Sequence, residues 1–350
     1  MGVCESSTIN DMAGRRGRNG VAIIDKRRYN DVTVMLWLTE RRVDEKGQEM
    51  GKNTGYDGFV DRLREAATKW FKSKGYETDL NHSFVLPRKD DWPKNIIYQD
   101  VAHYVKEQNL PLHRWIHDGS SSQAMIFNLI GPLVVRNDLD PLKHAIEHSE
   151  LTWPDGEITP AFEYSRRCVL NEIGGTPTTF DIALLSQNNS LFVEAKLTET
   201  DFGKCSFSKG DCNGENPHPL DRLDTCHLHV KQRKYWDLLR DYGLAESRIF
   251  ASEGECPLKR HYQFFREVLF TLAKGGSFVL LHDNRNPYFT GTASDDLWPQ
   301  LIDTIPEGLR DRVGRLTIQS VVRAIEKLGG HEDWIGSFKE KYGLQHPDQR

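Results

Sequence analysis

Apolar residues recur every third or fourth position from Tyr56 to Tyr76. Phe59, Leu63, Ala66, Ala67, Trp70 and Phe71 share one side and charges fill the other, a spacing that predicts an amphipathic helix. The rhythm returns from Ser121 to about Val135, with serines at 120 to 122 as an N-cap and Pro132 disturbing the last turn. Asp140 and Pro141 open a third helix that runs to Glu150. From Ala161 the period shortens: runs from Phe162 to Leu170, Thr178 to Leu185 and Leu191 to Leu197 predict a three-stranded meander. Gly174-Gly175-Thr176-Pro177 and Gln187-Asn188-Asn189-Ser190 supply its turns. A Cys- and Gly-rich stretch, Gly203 to Cys226, precedes helical spacing over His229 to Tyr242 and Leu258 to Lys274, then a buried-type strand from Ser277 to His282. Helical spacing resumes over Leu316 to Leu328 and His331 to Tyr342. Ahead of all this, the first 20 residues are polar and basic and read as a mobile arm, and Val32 to Leu38 reads as a strand. The order predicts an α/β (α+β) fold, a central mixed sheet flanked by helices with further helices at both ends.

The chain has 350 residues, 38% of them hydrophobic and 28% charged, so it can bury a core without staples, and collagen-like and coiled-coil classes are excluded. No run approaches the ~18 to 20 apolar residues of a membrane span. A formal charge of -5 argues against coating nucleic acid by overall field, but it leaves room for a local basic groove. Six cysteines without a secretory leader point to a reducing cytoplasm. Gly2 and Cys4 match an acylation pattern that would place the chain at a membrane; six residues recur by chance, and the bacterial character of the motifs below weighs against it.

No phosphate loop, nucleophile elbow or dinucleotide fingerprint is present. The informative residues are Asp181 on the second strand of the meander and Glu194 and Lys196 on the third. Side chains alternate along a strand, so Glu194 and Lys196 share a face, and an antiparallel neighbour can bring Asp181 beside them. Their flanks are apolar, which makes three ionisable groups an expensive placement unless they bind an ion or each other. Two carboxylates suit Mg²⁺, and a lysine can orient water and offset the charge on a phosphate. This is the chemistry of phosphodiester hydrolysis.

Thr179-Phe180-Asp181-Ile182 followed by Val193-Glu194-Ala195-Lys196 resembles the signature of the PD-(D/E)XK nuclease superfamily, and the element order is similar to its restriction-endonuclease-like core. More narrowly, the chain resembles a family of bacterial restriction endonucleases. That likeness runs through Ser121-Ser122-Gln123 with Phe127-Asn128, and through Glu194-Ala195-Lys196 into Thr198-Glu199 and Phe202-Gly203-Lys204-Cys205. It covers roughly residues 115 to 285 and implies a metal-dependent DNA endonuclease of restriction or defence type, with Mg²⁺ replaceable by Mn²⁺. Asp181 and Glu194, helped by the Ala195 carbonyl, would hold the metal, and Lys196 would position water. A further acid completes such sites; Glu163 is favoured over Glu147 or Gln123. The layout is then a flexible arm over 1–20, an N-terminal mixed region over 21–115, a nuclease core over 116–290 with a Cys-rich insertion at 203–226, and a helical extension over 291–350.

Cys205, Cys212, Cys226 and Cys256, with histidines among them, offer zinc ligands but no C-x2-C pair, so zinc, an iron–sulfur cluster and no metal all stay open. Cys168 reads as a buried thiol of the first strand. Lys231-Gln232-Arg233-Lys234 before Tyr235-Trp236 suits phosphate contacts, and Gln123, Asn128 and Gln232 are candidate substrate-binding polar residues; the alternative is a solvated helix face. DNA is the expected partner, RNA stays open, and a homodimer suits double-strand cleavage. The competing reading is a non-catalytic nucleic-acid-binding or assembly protein on the same fold with a structural Cys/His metal site.

Overall fold

Three apolar runs of the sequence become the central strands of one five-stranded sheet. Its order is β1 (Thr159–Ser165), β2 (Thr179–Leu185), β3 (Leu191–Lys196), β4 (Ser277–His282) and β5 (Val313–Thr317). This computed structural model describes residues 54–205, 212–217, 220–252, 254–290 and 296–344. The expected arm over 1–20, the strand at Val32 to Leu38 and the Gly2/Cys4 pattern lie outside the described residues. β1 to β3 are antiparallel, whereas β4 and β5 join in parallel through helical crossovers, making the sheet mixed.

Helices α1 (Thr54–Ser73), α2 (Gln99–Glu107), α3 (Ser122–Leu129), α4 (Gly131–Val135) and α5 (Asp140–Glu147) precede the sheet. Between β3 and β4 come α6 (His227–Val230), α7 (Tyr235–Asp241), α8 (Pro257–Arg260) and α9 (Tyr262–Ala273). Helix α10 (Leu297–Ile302) leads to β5, and α11 (Ile318–Leu328) and α12 (Glu332–Lys341) close the fold. β3 is buried at every position, so its alternating side chains face two cores. Val193 and Ala195 join Phe59 of α1, Phe127 of α3, Ile146 of α5, Ile325 of α11 and Phe338 of α12. Phe192 joins Trp236 of α7 and Phe264, Phe265 and Leu272 of α9. The result is a sheet between two helical layers. Among the described residues no helix is long and apolar enough to cross a membrane.

Several expected elements come out differently. Pro132 divides the helix expected over Ser121 to Val135 into α3 and α4, since a proline lacks the N–H that would continue it. Gln232, at φ 57°, breaks the helix expected from His229 into α6 and α7. The C-terminal segment expected to be helical also supplies β5, whose five residues include Gly314 and Arg315 and so lack the alternation that marks a strand. Gly276, entering β4, leaves no room for a side chain: a Cβ there would stand 2.4 Å from the Ser190 carbonyl oxygen and 2.7 Å from the Phe192 ring. Gly276→Ala is expected to destabilise the protein by on the order of 1–3 kcal/mol, read as a lower thermal midpoint.

Candidate active site

The sheet brings four ionisable residues of three adjacent strands to one end. Continuing the pairing of Ile182 with Val193 by one step sets Asp181 opposite Glu194, and Asp181 Oδ2 accepts the Ala195 N–H at 2.7 Å. Glu163 falls opposite Asp181, between the pairs Phe162–Ile182 and Tyr164–Phe180, but does not itself pair. Its φ of 51° is a left-handed conformation that a non-glycine strand residue rarely takes, and like charges directly opposite each other destabilise a sheet. Strain of this kind collects at functional sites. Gln123 of α3 holds the misfit residue, its Nε2 donating to Glu163 Oε1 at 2.5 Å.

Lys196 Nζ donates to Glu194 Oε1 at 2.9 Å and to Gln263 Oε1 at 2.8 Å. Gln263 of α9 in turn donates from Nε2 to Glu194 Oε1 at 2.5 Å and to Glu267 Oε1 at 2.8 Å. Lys196, Glu194, Asp181 and Glu267 are all buried. Burial works against the Lys196 ammonium, yet Glu194, Glu199 and Glu267 together hold its pKa above the ordinary lysine value. Burial, then the charges of Glu194 and Glu163, keep Asp181 well above the usual carboxylate range. Burial lifts Glu163 to about 7, against the Gln123 hydrogen bond and with help from Glu194. Glu267 is likewise raised, by burial first and Glu194 second, and its Oε2 is buried without a hydrogen-bond partner.

Too many acids for one lysine converge here, and a hard divalent cation would relieve their repulsion. Among the described residues no three His, Cys, Asp or Glu side chains stand in an arrangement that holds a metal ion as it is. Oxygen donors nevertheless fit Mg²⁺, which commonly takes only one or two carboxylates and keeps its waters; Asp181 and Glu194 with the Ala195 carbonyl would provide that much.

The remaining sequence candidates separate. Gln123 reaches the acids through Glu163, whereas Asn128 is sealed in the core: its Oδ1 accepts from Ile97 N–H at 2.7 Å and its Nδ2 donates to the Asn95 carbonyl and Tyr342 hydroxyl. It braces α3 and does not open onto substrate. Lys231 and Gln232 are exposed in the turn between α6 and α7, and the backbone carbonyl of Gln232 accepts from Asn171. Arg233 is buried, donating to the carbonyls of Asn171 and Gly174. Tyr235, Trp236 and Leu239 turn to the core, so this segment ties down the β1–β2 connection. The helical glutamine at the acids is Gln263, not Gln232. Glu147 lies on α5, beside Lys143 and Trp153. Cys168 is exposed in the turn after β1, neither buried nor in a strand, because β1 ends at Ser165.

Sequence reasoning missed Gln263 and Glu267. They sit four apart on a helix otherwise mostly apolar, and that defect in the pattern was the available signal. It also missed His113, whose Nε2 stands 4.0 Å from Glu163 Oε2 while over half its side chain is exposed. Glu199, noted only as a flank, accepts from Ser122 Oγ at 2.8 Å and from Leu197 N–H at 2.8 Å, tying α3 to the end of β3.

The family described as Restriction Endonuclease associating with ARP matches residues 59–343. This chain belongs to that family. No curated protein and no solved structure matches it. The match takes in all five strands, both helical layers and every residue of the acid–lysine cluster, and the mixed sheet with flanking helices is an α/β fold of restriction-endonuclease type. Membership of this restriction endonuclease family points to a nuclease or defence role for the chain.

Proposed function

We propose that this restriction endonuclease family member is a divalent-cation-dependent DNA endonuclease whose active site is Asp181, Glu194 and Lys196, with Glu163 as the additional acid. The observation that carries the reading is the convergence of three carboxyl groups at one end of the sheet, the buried Asp181 and Glu194 and the nearly covered side chain of Glu163, around the single buried ammonium of Lys196. A bound cation supplies Lewis acidity and a bound water of lowered pKa. The chain's own groups do the rest. Lys196 orients the attacking water and offsets charge on the scissile phosphate, and Gln263 fixes the lysine and Glu194 relative to each other.

Beside the acids, the loop carrying His113 presents basic and aromatic side chains suited to backbone contact and base stacking. Arg114 lies over the Trp115 ring at 4.8 Å, Trp115 stacks on His117, and Trp115 is 48% exposed. Lys89 fastens the loop through the Leu112 carbonyl. The family description names an association with ARP, and the same reading has this chain act together with such a partner.

Supercoiled plasmid incubated with the protein in Mg²⁺, Mn²⁺ or EDTA tests the proposal. Nicked or linear product is expected with either metal and none with EDTA. Cutting that persists in EDTA, or no cutting with any metal while the protein binds DNA, would overturn it in favour of the binding and assembly reading.

A further inference from the structure

Outside the acid–lysine cluster, the stretch between β3 and α6 has little means of its own to hold a shape. Residues 203 to 217 contain one phenylalanine, three glycines and one proline, and no aliphatic side chain larger than the stems of two lysines. A segment so poor in apolar residues cannot be fixed by core burial. Its backbone is nevertheless stitched to α8 and the loop before it: Cys205 N–H donates to the Lys259 carbonyl, Cys256 N–H to the Gly214 carbonyl at 2.9 Å, and Asn216 N–H to the Gly254 carbonyl at 2.7 Å. A short antiparallel bridge joins Glu215 and Glu255.

These ties draw four cysteines from distant parts of the chain around one small cavity. Cys205, Cys212, Cys226 and Cys256 line it together with His227, Leu228 and Lys259. Three of the four are buried, and all four are thiols. Backbone and indole N–H groups already point at the sulfurs, as they do around metal thiolates. Gly214 N–H donates to Cys212 Sγ at 3.4 Å, Trp236 Nε1 to Cys226 Sγ at 3.2 Å, and the N–H groups of Leu258 and Lys259 to Cys256. At Cys256 burial outweighs these donors and pushes the thiol up to about 12.

We propose that Cys205, Cys212, Cys226 and Cys256 form a structural zinc site that staples the Cys-rich insertion to the loop before α8. Four sulfur ligands are the number a closed tetrahedral zinc takes. The cavity is about 20 Å³, a size that suits a single ion. As placed, no three of these side chains stand in a metal-holding arrangement. Every one of the four lies outside the helices and strands, however, so side-chain rotation about Cα–Cβ can close the shell without breaking an element. Lys259 also lines the cavity, its ammonium paired with Glu255 at 2.7 Å.

The test is metal analysis of the purified full-length protein kept reduced. About one zinc per chain is expected, released when an organomercurial titrates the thiols, and retained in an Asp181→Ala variant. Cys212→Ser, the most exposed of the four positions, should lower the zinc content, and Co²⁺ exchanged into the wild-type protein should show the visible bands of a tetrahedral thiolate site. Zinc absent from the reduced protein, iron in its place, zinc that the mercurial leaves bound, or the four cysteines paired as disulfides would each overturn the assignment. None of these readouts depends on DNA cleavage.

Discussion

Lys196→Met should lower metal-dependent cleavage of supercoiled DNA by about 10²–10³-fold, the loss that removal of one preorganised electrostatic group produces. Methionine keeps the length of the lysine side chain and fills its slot between Glu194, Gln263 and the Phe202 ring, but it leaves the buried acids without their cation, so the thermal midpoint should fall while circular dichroism still reports the fold. Asp181→Asn sharpens the same experiment. The amide oxygen can still accept from the Ala195 N–H, but the charge facing Glu194 and Glu163 is gone. Activity should collapse while the thermal midpoint rises, because a buried carboxylate among like charges destabilises the folded chain. With a purely structural role, Asp181 would instead lose stability on substitution. Unchanged cleavage in either variant would remove these residues from the active site.

The stability of the protein should fall as pH rises through neutrality, and divalent cation should reverse the trend. The folded chain holds the Glu163 proton more tightly than the unfolded chain does. The associated stability is therefore fully present below the ordinary carboxyl value near 4.5 and is lost as pH climbs through about 7. For a rise from 4.5 to about 7 this amounts to about 3 kcal/mol at most. Asp181 and Glu267 are displaced in the same direction and add to the slope. Cation binding requires ionised carboxylates, so Mg²⁺ should raise the thermal midpoint more at about pH 8 than at about pH 6. Glu163→Gln should flatten the metal-free curve. Melts across this range in EDTA and in Mg²⁺ decide it; a level metal-free profile, or a larger Mg²⁺ effect at the lower pH, would contradict the arrangement of acids described here.

Local pattern determined a great deal about this protein. The apolar runs from Thr178 to Leu185, Leu191 to Leu197 and Ser277 to His282 are β2, β3 and β4 to within a residue at each end, since a strand buried on both faces writes itself as an unbroken apolar stretch. The short turn at 187 to 190 makes the first two antiparallel neighbours, and from that register the meeting of Asp181 with Glu194 and Lys196 follows by the two-residue alternation of strands. Glu163, on the preceding strand, was legible by the same logic. All of these relations are carried by consecutive strands of one meander.

What only the tertiary structure decided are the relations between elements. Which helix covers the end of β3 depends on the crossover between β3 and β4, and that choice put Gln263 and Glu267 of α9 at the acids and left Gln232 in an exposed turn. Asn128 and Arg233 looked like substrate contacts because both are polar and near the motifs; the fold spends them on buried carbonyls and an amide. β5 pairs with a strand more than thirty residues away, and nothing in its own five residues announces that. The four cysteines fall together through backbone ties between segments some forty residues apart. Periodicity reports how a segment divides its own faces between water and protein, whereas the identity of the partner on the buried face is set by packing of the whole chain.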